Sequence, residues 1–190
     1  MKGVKMQQII VSGVGGQGVL FITRLMAETA LKLGYSILVS ETHGMAQRGS
    51  IVISHLKIFS RDSFPPFTSP LIRPQHADIL LGLHPDSMDA HGFFLREDGK
   101  AYCNSNDGKA QGVFSVDATA VAAALAFPLA ANLVLLGFAS AGKRLFCLPE
   151  HLADTLGQLG GKRLPLSLKA LEAGRKEGEL FFEPIDPPEK

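Results

Sequence analysis

The segment Ile9–Ala30, IIVSGVGGQGVLFITRLMAETA, decides the fold. The chain from about Gln8 to Ser12 is an apolar run of strand length, and Gly13, Gly15 and Gly18 follow at the spacing G-x-G-x-x-G. From Val19 to about Leu33 the apolar residues recur at helical spacing, until Gly34 stops them. Glycines between a strand and a helix permit positive φ and close backbone approach. The amides at the helix N-terminus can then face an anionic group.

The next strand, YSILVS at 35–40, comes after one short turn, which is the order of a right-handed βαβ crossover. Outward from there, ETHGMAQRGS is a polar, glycine-bounded connection, IVISHLKIF is a third strand, ADILLGL a buried fourth, and KAYCNS and GVFSV two short ones. Between the third and fourth, Pro65, Pro66, Pro70 and Pro74 predict an irregular surface excursion. A short helix opens near Pro85, Asp117 caps an alanine-rich helix, a further helix covers Asn132–Ala141, and Pro149–Gly178 is helical in two pieces. The expected architecture is α/β, three-layer α/β/α, with a mostly parallel sheet and a Rossmann-like start. One domain is expected over 1–182, followed by a flexible tail at 183–190 rich in proline.

Composition narrows the function. At 190 residues and 46% hydrophobic content the chain can bury one substantial core. Nineteen basic against 18 acidic residues leave a net charge of +1, which supplies no broad footprint for nucleic acid or an anionic membrane. Cys103 and Cys147 stand 44 residues apart, without a CxxC or a histidine cluster, so they cannot ligate zinc or an iron–sulfur cluster. They are expected to be buried thiols in a reducing cytoplasm, and no metal site is expected. The apolar stretch Ala118–Gly142 is interrupted by Pro128 and Asn132, so it reads as two packed helices rather than a membrane span.

Read on spacing alone, Gly13–Gly18 favours a nicotinamide or flavin nucleotide, with Glu41 placed at the end of the second strand as a ribose-binding acid. That would make the chain a self-sufficient oxidoreductase. Two details favour another use. Gly15 and Gly16 are adjacent and are followed by Gln17, whose amide carries donors and an acceptor. Glu41, moreover, opens the segment ETHGMAQRG. In a parallel sheet the loops after strands one and two emerge at the carboxyl ends of adjacent strands, so they are expected to converge, gathering Gln17, Glu41, His43, Gln47 and Arg48, with Gly44 and Gly49 allowing tight turns. Arg48 suits a carboxylate or phosphate, His43 titrates near neutrality, and Glu41 can orient either. Of the remaining histidines, His84 is expected at the same edge, His55 lies in a strand, and His76, His91 and His151 are scattered without metal spacing.

The pairing of GVGGQGVLFITRLMAETALKLGY with SETHGMAQRGSIVISHLKI resembles the gamma domain of the 2-oxoacid:ferredoxin oxidoreductases. The Gln47-Arg48-Gly49 variant is most like the beta subunit of indolepyruvate ferredoxin oxidoreductase. ADILLGL, AANLVLLG and SLKALEAG follow in the family's order, so the likeness spans about Ile9 to Gly174. The chain departs from it at Ser50, where a second glycine is common, and within PLSLKAL, where an asparagine is usual.

The resemblance implies a subunit of a complex that oxidatively decarboxylates a 2-oxoacid, such as an aryl pyruvate, to an acyl-coenzyme A. Thiamine diphosphate, magnesium and 4Fe–4S clusters would lie on a larger partner subunit, with ferredoxin as acceptor and coenzyme A as co-substrate. His43, Arg48 and Glu41 would be the catalytic set. Gly13, Gly15, Gly16, Gln17, Gly18, Gly44, Gln47 and Gly49 would bind substrate or coenzyme A, and the chain would be inactive alone.

Overall fold

The computed structural model describes residues 5–41, 50–63, 68–106 and 112–182. Six strands form one sheet: β1 (Met6–Val14), β2 (Ser36–Glu41), β3 (Ile51–Phe59), β4 (Ala77–Gly82), β5 (Leu95–Asn104) and β6 (Val113–Val116). Their order is β2-β3-β1-β4-β5-β6. The pairs β1–β4, β4–β5 and β5–β6 are parallel. β3 runs antiparallel to both of its neighbours, from Met6 opposite Phe59 to Val14 opposite Ile51, and from Ser36 opposite Phe59 to Glu41 opposite Ser54.

This order corrects one expectation. β1 and β2 point the same way but are not adjacent, because β3 folds back from β2 and inserts between them. The residue pattern of β3 cannot reveal its direction, since alternation is the same for a parallel and an antiparallel strand. Five of the six strands still share a direction, so the sheet is mostly parallel.

Helices α1 (Val19–Lys32), α3 (Ala118–Ala124), α4 (Ala131–Ala141), α5 (Pro149–Leu159) and α6 (Leu164–Phe182) contribute to the larger core. There Ile9 and Val11 of β1 meet Ile22, Leu25 and Met26 of α1, Leu133 and Leu136 of α4, and Leu171 of α6. The second face is covered more thinly, by the five-residue α2 (Ser87–His91), a 3-10 turn at Gly92–Phe94 and the proline-containing segment, whose Ile72 is buried with Ile10, Leu80, Ala101 and Cys103. Burial on both faces explains why β1 reads as the continuous apolar run Ile9-Ile10-Val11 rather than as an alternation.

The helix boundaries follow their local chemistry. α1 ends where Gly34 adopts φ 82°, the left-handed conformation that stops a helix. The alanine-rich region divides into α3 and α4 at a 3-10 turn beginning with Pro128, and no helix among the described residues is long and apolar enough to cross a membrane. Asp117 caps α3, accepting the Ala120 N–H at 2.8 Å. Asp117→Ala is therefore expected to cost about 1 kcal/mol of stability, read as a lowered urea midpoint with an unchanged m value. The tail, 183–190, lies outside the described residues.

Candidate functional site at the carboxyl edge of the sheet

The glycine turn leaves β1 at Val14 and enters α1 at Val19, with Gly16 at φ 101° and Gly18 at φ 85°. Both values lie in the left-handed region, which a side chain disfavours. Gln17 closes the turn twice. Its N–H donates to Val14 O at 3.0 Å, and its side-chain Oε1 accepts the Val14 N–H at 2.8 Å. One lone pair of the Gln17 amide oxygen is thus used within its own loop, while the side-chain NH2 donors take no part in that bond. α1 begins with no side-chain cap and no acid in its first turn, so its positive dipole end is not neutralised from within the helix.

The turn meets the β2–β3 connection at its flanks. Gly15 N–H donates to Ser50 O at 3.2 Å, and Val14 stands opposite Ile51. Glu41 closes β2 at the same edge, opposite Ser54. The Ser50 end of the connection therefore meets the turn, and the route to it is a β2–β3 hairpin and not adjacent parallel strands. His43, Gly44, Gln47, Arg48 and Gly49 lie outside the described residues. Glu41 does not occupy a ribose-acid position of the dinucleotide type, because β3 separates its strand from β1.

Beside the turn, a cavity of about 500 Å³ opens over the ends of β4, β5 and β6, lined by Gln17, His84, Asn104, Asn106, Asp117 and Thr119 among others. His84 therefore stands at the carboxyl edge of the sheet. Its Nδ1 accepts the Asp86 N–H at 3.3 Å and lies 3.6 Å from the Asp86 carboxylate. Asn104 donates to Leu83 O at 3.2 Å and to Thr119 Oγ1 at 2.9 Å, while its own oxygen accepts the Thr119 N–H, which fixes the start of α3 against β5. The described lining carries amides, hydroxyls, an imidazole and a carboxylate but no lysine or arginine. An anionic group bound here would draw its countercharge from outside the cavity.

Two other features were not legible in the sequence. Asn132, which reads there only as an interruption of an apolar run, reaches the turn from α4, donating to Gln17 O at 3.0 Å. On the opposite face of the sheet, His91, which the sequence leaves scattered, lies near His55 of β3. Ser12 Oγ is hydrogen-bonded to His91 Nδ1 at 2.7 Å, and the Ile72 N–H donates to His55 Nδ1 at 3.2 Å. Phe94 packs near both rings. Burial holds the His55 pKa below its ordinary value, assisted by the nearby His91 and Lys57, and burial lowers that of His91.

Among the described residues no group of three His, Cys, Asp or Glu side chains is placed to hold a metal ion. Cys103 and Cys147 are buried free thiols whose pKa values burial pushes up to about 12, so neither is a thiolate at neutral pH.

The fold, a mostly parallel six-stranded sheet with flanking helices, matches that of oxoacid oxidoreductase gamma subunits. The keto/oxoacid ferredoxin oxidoreductase gamma subunit of Geobacter sulfurreducens superposes with a TM-score of 0.74 at 21% identity, over 92% of this chain and 99% of that one. The 2-oxoglutarate:ferredoxin oxidoreductase of Magnetococcus marinus, solved with 2-oxoglutarate, coenzyme A and succinyl-CoA bound, superposes at 0.73 and 18% identity, over 97% of this chain but 32% of that one. Residues 8–177 match the pyruvate ferredoxin/flavodoxin oxidoreductase family, and the chain belongs to it, as a subunit of a 2-oxoacid:ferredoxin oxidoreductase. Indolepyruvate oxidoreductase subunit IorB of Archaeoglobus fulgidus is 28% identical over 87% of this chain and 92% of its own length. Its counterpart from Pyrococcus horikoshii is 32% identical over 54% of this chain and 48% of its own.

Proposed function

We propose that this subunit closes one side of the active site of an indolepyruvate or other aryl-pyruvate:ferredoxin oxidoreductase that forms an acyl-coenzyme A. Thiamine diphosphate, magnesium and 4Fe–4S clusters belong, in this reading, to a larger partner subunit, and the isolated chain is inactive. Bound thiamine diphosphate supplies the electron sink for decarboxylation. The observation that carries the proposal is the meeting, at one sheet edge, of an uncapped helix N-terminus, the Ser50 end of the β2–β3 connection and a polar cavity. The names of the IorB relatives support indolepyruvate, and the coenzyme A bound in the Magnetococcus enzyme supports that co-substrate.

The division of labour follows from charge. The cavity has hydrogen-bonding groups without a described cation, which suits the uncharged, amide- or hydroxyl-rich part of a ligand. Arg48 then supplies the anchor for its carboxylate or phosphate. His43 and Glu41 orient that anion and its proton, while Gly13, Gly15, Gly16 and Gly18, with Gly44, Gln47 and Gly49, let two backbones approach it.

The test is the complex reconstituted with its native larger subunit, assayed for ferredoxin reduction dependent on indolepyruvate and coenzyme A. Loss of one charge-assisted contact is worth about 2–3 kcal/mol, so Arg48→Ala is expected to lower kcat/KM roughly 30- to 160-fold. An unchanged rate removes Arg48 from the site.

A further inference from the structure

We infer that Asn132 is a positioning residue that sets which way the Gln17–Gly18 peptide of the glycine turn faces, and thereby the amide the turn presents to its ligand. The inference rests on reading the turn as part of the coenzyme A side of the active site.

Asn132 stands in the first turn of α4, and its side chain does two separable things. Its Oδ1 accepts the Leu133 N–H at 2.7 Å, satisfying a donor at the helix start. Its Nδ2 donates to Gln17 O at 3.0 Å, across 115 residues of sequence. A peptide unit is planar and trans, so its C=O and N–H point to opposite sides. Holding Gln17 O toward α4 therefore directs the Gly18 N–H away from α4.

The glycine at position 18 belongs to the same device. Its φ of 85° puts it in the left-handed region, and a Cβ built there would overlap Asn132 Nδ2. The space a side chain would need at position 18 is thus occupied by the group that orients the peptide before it. α4 is itself a firm base. Gly137 lies against the backbone of Leu171 and Arg175, and Gly174 and Gly178 of α6 lie against the backbone of Val134 and Phe138. The Gln17–Gly18 peptide is therefore referenced to a helix pair.

Asn132→Asp separates the two jobs. The carboxylate keeps the acceptor for Leu133 N–H and is favourable at a helix N-terminus, but it has no donor for Gln17 O and opposes that carbonyl with negative charge. In the reconstituted complex the expected result is a KM for coenzyme A raised about tenfold, kcat within about twofold of wild type, and an unchanged Tm. Asn132→Ser, which keeps a capping hydroxyl but is too short to reach Gln17, is expected to raise KM similarly. Gly18→Ala is measured alongside. If Gly18→Ala raises the KM for coenzyme A and neither Asn132 variant does, the role given to Asn132 is wrong while the reading of the turn survives. Should none of the three change it, the reading of the turn falls as well. A KM effect that appears only together with a matching loss of Tm would make Asn132 a structural residue and overturn the inference.

Discussion

Gly174→Ala is expected to destabilise the protein by about 3 kcal/mol, at the upper end of the range for overpacking a filled interior. The sign is informative because helix propensity predicts the reverse. Gly174 lies well inside α6, where replacing glycine by alanine ordinarily gains up to about 1 kcal/mol. Packing opposes that gain. A Cβ at position 174 would fall within the Val134 carbonyl oxygen and 2.7 Å from its carbon. The obstacle is backbone, which cannot swing aside as a side-chain tip can, so α4 and α6 would have to separate. That separation would loosen Leu133, Leu136 and Leu171, all fully buried in the core these helices share. For a chain of this size the loss corresponds to a fall in Tm of roughly 6–12 °C. Gly157→Ala is the matched control. Gly157 lies inside α5 with nothing within 4 Å of an added Cβ, so the same substitution there is expected to stabilise by about 0.5–1 kcal/mol. If the two variants shift Tm in the same direction, close α4–α6 packing is not what selects glycine at position 174.

The contrast between those glycines shows how far the sequence could be read. Strand, turn and helix from Met6 to Lys32 were legible because hydrophobic period and glycine placement are local signals. The cap at Asp117, the break at Pro128 and the strand at Ala77–Gly82 were legible for the same reason. Pairing was not. Nothing local to Ile51–Phe59 says that it runs antiparallel between β1 and β2, and that choice decides where Glu41 stands relative to the turn. The spacing Gly174-x-x-x-Gly178 was a usable signal of close helix packing, but its partner face on α4 is set by tertiary contact. Asn132 carried no local signal at all, because its role depends on a carbonyl 115 residues away. The shared carboxyl edge of β1 and β2 was legible despite the wrong strand neighbour, since the two strands still point the same way.

Acid should unlatch the second face of the sheet, and the reason again lies in residues distant in sequence. β1 and β3 pair with Ile10 opposite His55 and Ser12 opposite Ile53. With His91 brought in by α2, its imidazole lies close enough to disfavour protonation of His55. His55 Nδ1 accepts the Ile72 N–H, so its ring must be neutral with the proton on Nε2. That bond and the Lys57 Nζ donation to Ser69 O at 2.9 Å tie the proline-containing segment to β3. Lys57 carries its own depressed pKa, from burial and from the nearby Arg73, so the charges facing His55 are cationic.

The sign of the pH effect follows. Both histidines have folded pKa values below the unfolded value of about 6.5, so on acidification the unfolded chain takes up protons first. Stability is unaffected by these rings above about pH 7. It falls as pH drops below about 6.5, by up to about 1.4 kcal/mol per pH unit for each ring that stays neutral, and levels off below the folded pKa values. His55→Asn combined with His91→Asn keeps an acceptor near each Nδ1 position but cannot titrate. The expected result is a Tm that declines steeply between pH 6.5 and 5 in the wild type and less in the double variant. Amide exchange at Ile72 should rise in the wild type over the same interval. Comparing the two proteins cancels carboxylates such as Glu172, which Arg175 holds below the usual range in both. Parallel Tm profiles for wild type and double variant would show that His55 and His91 do not govern the acid response, and would leave the segment around Ile72 held by packing alone.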